Sequence, residues 1–394
     1  MLKNVYVAGG VRTPFGSFNG SLSALTAPEL GSVVIRETLR RAGVDPKEAD
    51  EVIFGNVIGA GIGQNPARQA ALGAGLGVEV GATTINKVCG SSARAVVLAA
   101  QAVQCGDARL VVAGGCESMT NAPYLLRKAR SGYRMGHGEL IDAMIHDGLW
   151  DVYTSRHMGT CGDQCASKYD ISRKDQDDFA IESYKRAIRA WEDGFHKSGV
   201  VVVEIKSKKG ATVVEWDEDV AKFQGEDKLR ALPPAFGPGG TVTAGNASKI
   251  NDGAAAMVVF DDECKKALGL KPDAKIIGHA NVALEPDWFT IAPIHAIRKL
   301  CERLKIKPSD VDLFEINEAF SLVAVVAMRE LKIGHDRVNV AGGAVAIGHP
   351  IGATGARLVD SLVRALVTRN KRMGIACLCI GGGEATAIAL ERCA

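Results

Sequence analysis

The chain has 394 residues, a length typical of two or three domains, and its net charge at pH 7 is +2. Its composition, 47% apolar with 5% aromatic residues and 45 glycines, suits a globular α/β protein whose helices pack through small side chains. The balanced charge gives no reason to expect nucleic acid as a partner, and no basic block indicates binding to a membrane surface.

The start of the chain and its cysteines favour a cytoplasmic protein. Residues 5–10, VYVAGG, predict a strand and a turn; we find no targeting segment and no apolar run long enough to span a bilayer. The ten cysteines are unevenly spaced and are expected to be reduced thiols. No metal site is predicted, because the pairs Cys161/Cys165 and Cys377/Cys379 lack a second ligand pair at metal spacing.

Two distant parts of the chain show similar patterns. One match could arise by chance, whereas three matches in the same order indicate two copies of one β/α unit. The matches join residues 42–57 to 304–319, residues 89–103 to 351–365, and residues 107–118 to 374–385.

The stretch between the copies, residues 120–243, is rich in charge, Trp, His and Met. Residues 172–194 predict an amphipathic helix with Ser172 as its N-cap, because acidic residues come early and basic residues later. A two-stranded hairpin is predicted around residues 208–210. We therefore expect an insertion that covers one face of the duplicated core, where a substrate site commonly forms.

Four segments with reactive groups lie at predicted strand or helix ends. Cys89 precedes a predicted helix, whose N-terminus favours a thiolate. Asn317 and Glu318 follow the apolar strand LFEI, and His349 is held extended by the proline after it. Cys379 lies near the end of an apolar strand and is followed by three glycines. Each also has an ordinary interpretation: a core thiol, a helix cap, a surface loop or a tight turn.

The duplication favours the chemical interpretation, because it puts Cys89 and His349 at matching strand-to-helix junctions that a pseudo-twofold axis would bring together. A histidine that activates a thiol, with backbone amides for the oxyanion, suits attack on an activated carbonyl. A second thiol, Cys379, suggests proton removal from carbon. A nucleotide enzyme is disfavoured, since no GxGxxG and no GK[ST] motif occurs.

These motifs resemble the thiolase family over essentially the full length of the chain. They are RTPFG, VCGSS, GGCESM, HMGT, TVTAGNAS, NEAF, GGAVAIGHPIG and CIGGG. The resemblance implies an α/β thiolase fold, with duplicated β/α halves in a five-layered αβαβα core and an inserted loop domain. The expected boundaries are 1–119 and 244–270 for the N-terminal half, 120–243 for the loop domain and 271–394 for the C-terminal half.

The resemblance also implies roles for five residues. Cys89 would accept the acyl group and His349 would activate it. Cys379 would remove the α-proton of a second acetyl-CoA or return a proton in thiolysis. Asn317 would hold a water that forms one oxyanion hole with His349, and the amides of Cys89 and Gly381 would form the other.

The implied activity is acetyl-CoA C-acetyltransferase, with CoA and acyl-CoA as substrates and no cofactor. Alternatives are a broader-chain 3-ketoacyl-CoA thiolase, a non-catalytic acyl-CoA or lipid carrier, a decarboxylating ketosynthase and a redox enzyme. A ketosynthase would carry two histidines and one cysteine. Cys377 and Cys379 lie two residues apart on one predicted strand, so they share a face yet rarely bridge. The residues expected to line the substrate site are Leu149, His157, Met158, Ala244, Ser248, Phe289, Ala319 and Phe320.

Some features depart from the family pattern or stay open. Cys161 and Cys165 follow HMGT, and Glu384 follows the glycines of CIGGG. Phe289 predicts a short acyl pocket. A homodimer or homotetramer is expected, since residues 132–148 resemble the family's tetramerisation loop.

Two further hypotheses concern lysines and redox state. Lys222 and Lys228 are candidates for binding the CoA phosphates. If Cys89 and Cys379 approach each other across the site, an oxidant would join them in a reducible disulfide.

Overall fold

The structure is a computed structural model that describes residues 3–208 and 210–393. Its strands are β1 (Val5–Arg12), β2 (Gly16–Ser17), β3 (Glu51–Gly55), β4 (Gly81–Ile85), β5 (Leu110–Ser118), β6 (Tyr124–Leu125), β7 (Ile141–Asp142), β8 (Trp150–Asp151), β9 (Arg156–His157), β10 (Val203–Ser207), β11 (Gly210–Val214), β12 (Asn251–Asp261), β13 (Ala274–Ala283), β14 (Leu313–Ile316), β15 (Met373–Ile380) and β16 (Glu384–Arg392).

The α-helices are α1 (Ala27–Ala42), α2 (Pro66–Gly73), α3 (Ser91–Cys105), α4 (Met158–Lys168), α5 (Arg173–Glu192), α6 (Phe195–Gly199), α7 (Glu218–Ala221), α8 (Glu226–Arg230), α9 (Asp262–Leu268), α10 (Ala292–Leu304), α11 (Ser321–Leu331), α12 (Ala344–Ile347) and α13 (Thr354–Thr368). Short 3₁₀ turns cover Pro46–Glu48, Pro286–Ile291, Pro308–Asp310 and His335–Arg337, and a π-helical turn covers Met144–Leu149.

The large sheet repeats one strand order in its two halves. Its order is β4-β3-β5-β12-β1-β13-β16-β15-β14. In the N-terminal half β3 is parallel to β4 and β5, and β12 runs antiparallel between β5 and β1. In the C-terminal half β14 is parallel to β15, and β16 runs antiparallel between β15 and β13. A parallel bridge from Phe314 to Val338 takes the place of β4, so the predicted duplication is confirmed.

The helices form three layers around the two halves of the sheet. Helices α3 and α13 contact each other and strands of both halves, so they form the central layer. Helices α1 and α2 cover the outer face of the N-terminal strands, and α10 packs on the outer face of the C-terminal strands with α11 beside it. The halves join where β1 pairs antiparallel with β13. This arrangement confirms the expected five-layered fold.

Hydrogen bonds fix how the two copies correspond. Asp50 accepts from the backbone amides of Arg109 and Leu110, and Asp312 accepts from the amides of Arg372 and Met373. The first sequence match, which aligned Asp50 with Asp312, is therefore correct. The third match was wrong by four residues, because it aligned Leu110 with Cys377 rather than with Met373. Glycine-rich strand ends look alike in sequence, and the corrected register makes Cys116 the equivalent of Cys379.

In its described residues, the insertion between β5 and β12 contains three two-stranded sheets and five α-helices. The predicted amphipathic helix is α5; Ser172 caps it, and Asp175 completes a capping box. The predicted hairpin is β10–β11; its turn residue Lys209 lies outside the described residues. The exact domain boundaries stay predictions, and their end points, residues 1 and 394, lie outside the described part. Among the described helices, none has the length and apolar character needed to cross a membrane.

Candidate active site

A cavity of about 470 Å³ brings together the reactive groups of both halves. Cys89, His349 and Cys379 all line it. Asn317 and Gly381 are not among the lining residues, but they contact His349 and Cys89 respectively. The residues predicted from the family pattern to line the substrate site also lie in the cavity wall: Leu149, His157, Met158, Ala244, Ser248, Phe289, Ala319 and Phe320.

Cys89 lies at the tight junction between β4 and α3. Val88 before it has a φ of 45°, a left-handed conformation that a β-branched residue rarely adopts. The thiol is 7% exposed, and burial raises its pKa to about 11, although backbone N–H groups, with that of Gly381 first, oppose the shift. The prediction of a thiolate at a helix N-terminus is therefore wrong for the substrate-free site, because desolvation outweighs the favourable amides. In the substrate-free site Cys89 is therefore a neutral thiol.

His349 is neutral, and its polar neighbours are Asn251, Thr354 and Asn317. Its backbone N–H donates to Asn251 (2.9 Å), and its Nδ1 lies 2.6 Å from the hydroxyl of Thr354. That hydroxyl donates to the carbonyl of Pro350, so we assign the ring hydrogen to Nδ1, which leaves Nε2 as an acceptor. Burial, with the charge of Arg357, lowers the pKa of His349 to about 3. The imidazole is therefore uncharged at neutral pH.

A buried polar network orients Asn317 toward His349. The Oδ1 of Asn317 accepts from Arg357 at 3.3 Å, so its Nδ2 points to Nε2 of His349, 3.5 Å away. Arg357 also pairs with Glu315 at 3.4 Å, and both side chains are at most 2% exposed. Burial raises the pKa of Glu315, and Arg357 opposes that shift. The ion pair thus fixes which end of the Asn317 amide faces the cavity.

Cys379 and Gly381 lie where β15 turns into β16. Burial holds the pKa of Cys379 well above its usual range, and a charge on Cys89 would raise it further. A proton taken by its thiolate would consequently be held strongly. A Cβ on Gly381 would lie 2.2 Å from Cε of Met158, so a side chain there would displace the end of Met158. Its backbone N–H instead reaches the sulfur of Cys89.

Aromatic rings close the apolar end of the cavity. Phe289 is 4% exposed and lies 6.5 Å, between ring centroids, from Phe320. Phe236 meets Phe320 edge-on at 6.3 Å and stacks on His157 at 4.6 Å. These contacts make the wall near Phe289 rigid, because each ring is held by another.

Three residues that support His349, directly or through Asn317, could not all be recognised from the sequence: Thr354, Arg357 and Asn251. Thr354 lies five residues after His349, so the motif GHPIGAT offered a local signal for it. Arg357 and Asn251 gave no such signal. Their roles depend on contacts with residues 40 and 98 positions away along the chain, which local patterns do not contain.

A smaller cleft of about 230 Å³ adjoins the cavity and shares Asp219, Ala244 and Lys249 with it. The ammonium of Lys249 donates to the carbonyl of Ala244, and burial lowers its pKa to about 8. Lys222 and Lys228, the two lysines proposed for the CoA phosphates, line the same cleft. It is a cationic extension of the apolar cavity.

One group of possible metal ligands, Asp151, Cys161 and Asp287, lies in the described part of the chain outside the cavity wall. Arg156 already places a guanidinium nitrogen 2.8 Å from the carboxylate of Asp287. This cation supplies the positive charge that the acidic groups need. Cys161, from the unusual segment after HMGT, is buried here rather than in the cavity.

Comparisons with known proteins agree with this arrangement. The family model "Thiolase, N-terminal domain" matches residues 5–263, and "Thiolase, C-terminal domain" matches residues 270–392. The chain is 49% identical over 392 residues to "Acetyl-CoA acetyltransferase 2" of Arabidopsis thaliana, covering 99% of this chain and 97% of that protein. It is 48% identical to "Acetyl-CoA acetyltransferase ERG10, cytosolic" of Gibberella zeae, covering 99% and 98% respectively.

The fold has a close structural relative as well. A crystal structure of the Bacillus anthracis acetyl-CoA acetyltransferase gives a TM-score of 0.97 at 40% identity, covering 100% of this chain and 99% of that chain. Since both family models match and the relatives align over nearly the whole chain, the protein belongs to the thiolase family.

Proposed function

We propose that the protein is an acetyl-CoA C-acetyltransferase. It condenses two acetyl-CoA to acetoacetyl-CoA and CoA, or cleaves short 3-ketoacyl-CoA in the reverse direction, through an acyl-Cys89 intermediate. The observation that carries the proposal is that Cys89, His349 and Cys379 line one buried cavity. A carrier would need the apolar cavity but not the two thiols and the imidazole. Relatives named acetyl-CoA acetyltransferase support the same activity.

Acylation begins from neutral groups. The proton of Cys89 passes to Nε2 of His349 as the sulfur attacks the thioester carbonyl, and the amides of Cys89 and Gly381 stabilise the oxyanion. The C–S bond to CoA then breaks, and the leaving sulfur takes the proton of Cys379. The products are acyl-Cys89, a protonated His349 and a thiolate at Cys379, so protons and charge balance.

Condensation uses the groups that acylation has prepared. The Cys379 thiolate takes the α-proton of a second acetyl-CoA, and the enolate oxygen is stabilised by Nε2–H of His349 and by a water held by Asn317. The carbanion attacks acyl-Cys89, and the Cys89 sulfur leaves with the proton of His349. The hydroxyl of Thr354 can donate or accept, so it supports the imidazole in both protonation states.

The test is CoA-dependent thiolysis of a 3-ketoacyl-CoA series from acetoacetyl to long chain, including one 2-methyl-branched member. We expect turnover of the four-carbon and branched substrates and no turnover by Cys89→Ala. Activity that rises with chain length would favour a broader-chain thiolase. No activity on any substrate, with intact thiols, would favour a carrier and contradict the proposal.

The acyl pocket is proposed to be short, because the held ring of Phe289 forms its wall. Phe289→Ala should raise kcat/KM for substrates of six or more carbons by about tenfold, since each buried methylene contributes roughly 0.8 kcal/mol. Phe18→Ala, at the exposed rim of the same cavity, is the matched control. An unchanged chain-length profile in Phe289→Ala would contradict this assignment.

The CoA phosphates are proposed to lie in the adjoining cleft, where Lys222, Lys228 and Lys249 converge. The pKa of Lys249, lowered to about 8 by burial, means that its charge is lost as the pH rises through 8. Lys249→Met should therefore raise KM for CoA several-fold below pH 8 and remove the rise in KM expected above it. The exposed Lys47→Met is the control, and equal KM values for both variants would contradict the assignment.

A homodimer or homotetramer in the cytoplasm is proposed as the working state. Within residues 132–148, the segment proposed to mediate tetramerisation, Met135 is 96% and Leu140 is 59% exposed. Such apolar side chains are typical of an interaction site. Met135→Lys combined with Leu140→Lys should halve the mass of a tetramer in light scattering, and an unchanged mass would contradict this role. The cytosolic relative and the free cysteines support the location.

A further inference from the structure

An ion pair connects the two loops that carry the catalytic amides. Lys87 lies two residues before Cys89, and its ammonium pairs with the carboxylate of Glu384, the first residue of β16. Glu384 immediately follows the glycine turn that contains Gly381. The side chains of the pair are 24% and 36% exposed, so water screens them only in part.

The nucleophile loop needs such support, because its backbone is strained. Val88 keeps a left-handed conformation between Lys87 and Cys89. The backbone N–H of Lys87 donates to the hydroxyl of Ser91, and this hydrogen bond closes the turn. A strained turn persists when its surroundings hold it, and the pair with Glu384 is the ionic contact that crosses from this turn to the opposite loop.

The two loops also approach closely. A Cβ on Gly90 would lie 2.4 Å from Cδ1 of Ile380, so a side chain there would displace that of Ile380. Between the loops, the amide of Gly381 reaches the sulfur of Cys89. Any change in the separation of the loops therefore changes the spacing of the amides proposed to bind the oxyanion.

We propose that Lys87 and Glu384 are positioning residues that hold the amides of Cys89 and Gly381 at the spacing required by the oxyanion. The pair acts through these amides and does not touch the substrate. This inference rests on the proposed thiolase activity. It predicts an effect on kcat rather than on KM, because the oxyanion forms only in the transition state.

The experiment compares Glu384→Gln, Lys87→Met and the charge swap Lys87→Glu/Glu384→Lys in thiolysis of acetoacetyl-CoA. We expect each single change to lower kcat about tenfold with KM changed less than twofold, since small misplacements at a reacting centre have large effects. The swap should recover most of the lost kcat. Glu330→Gln, which removes the surface pair with Arg298, is the matched control and should leave kcat unchanged.

The outcomes separate the two proposals. If the unmodified protein cleaves no 3-ketoacyl-CoA, the proposed function is contradicted. The positioning role of Lys87 and Glu384 then has no reaction to which it applies. If the protein is active but both single variants keep kcat within twofold, or the swap is no better than the singles, the positioning role is overturned. Thermal unfolding within about 2 °C of the unmodified protein would support it, because loss of a partly exposed ion pair costs little stability. A larger fall in all three variants would make the pair structural and overturn the proposal.

Discussion

The two halves of the protein share one strand order, yet the polar groups of the site come mainly from the C-terminal half. The junction before α3 supplies the thiol of Cys89, whereas the junction before α13 supplies the imidazole of His349. Two positions that support His349 have small or apolar equivalents in the N-terminal half: Ile53 matches Glu315, and Gly55 matches Asn317. Arg357 matches Arg94 of α3, which is half-buried rather than fully buried.

This difference shows how a buried polar site is built on a duplicated core. A buried ion pair or amide is costly unless all its partners are present, so a network divided between halves would depend on the alignment of both. Here Glu315, Arg357, Asn317 and His349 form one continuous chain within a single half. The other half contributes the thiol of Cys89, which is proposed as the nucleophile and needs space and backbone amides.

The largest expected effect is on kcat, and it should differ between variants of the equivalent cysteines Cys379 and Cys116. Cys379→Ala should lower kcat of condensation by about 10³-fold, the range of general acid–base catalysis. Cys116→Ala should keep kcat within twofold and lose about 1 kcal/mol of unfolding free energy, because its buried sulfur packs near Gly31. Initial rates and urea unfolding of both variants provide the measurement. A comparable loss of activity in both would mean that the two cysteines do not differ in function.

The next effect concerns the buried ion pair. Arg357→Ala should lower the unfolding free energy by about 3–5 kcal/mol, since it leaves Glu315 buried without its partner. The double variant Glu315→Ile/Arg357→Ala removes both charges, with the isoleucine found at the equivalent Ile53, and should regain most of that stability. Its kcat should remain at least tenfold low, because Asn317 loses the donor that orients it. Full activity in the double variant would contradict the orienting role.

A smaller effect is expected where the two helices begin. Thr354→Val removes the partner of Nδ1 of His349 and should lower kcat about tenfold, the equivalent of one hydrogen bond of roughly 1.4 kcal/mol. Ser92→Ala is the control from the matching helix, where the hydroxyl accepts from the amide of Ala356. It should affect thermal stability more than kcat. Equal kcat losses would show that Thr354 acts through packing alone.

The smallest expected effect is that of pH on kcat: protonation of His349 should not limit the rate near neutral pH. The pKa of His349, lowered to about 3 by burial, keeps the imidazole neutral above pH 5, so kcat should show no acid limb near pH 6–7. Stability behaves differently. The unfolded chain binds a proton near pH 6.5 that folded His349 takes up only near 3, so the unfolding free energy should fall as the pH drops through that window. A rate profile with a midpoint near 6.5 would contradict the neutral, buried imidazole.

Much of the fold could be predicted from the sequence, because the two copies keep similar residue patterns in the same order along the chain. The first match located β3 and β14 correctly, and Ser172 marked the start of α5. The third match, of residues 107–118 to 374–385, had the wrong register. Its glycine-rich segments AGG and IGGG are similar in composition, so they can be aligned in more than one register. Register is set by hydrogen bonds such as those of Asp50 and Asp312, which no local pattern reports.

The site was predictable where a reactive group sits in its own motif. Cys89, His349 and Cys379 could be named in this way, and they line one cavity. The protonation of Cys89 could not be predicted, because burial depends on the whole fold and here outweighs the local amides. Arg357 was not predicted, because an arginine in a helix is usually at the surface. Here tertiary packing buries it completely.

The neutral state of the resting thiol also bears on how long the enzyme lasts in a cell. Alkylating agents and peroxide react with thiolates, so a thiol whose pKa is raised to about 11 presents little reactive sulfur to them between turnovers. The same holds for joining Cys89 to Cys379, since that bond needs one of the two sulfurs to ionise first. Burial thus keeps the thiol protonated in the substrate-free site, and resistance to oxidation follows from that burial.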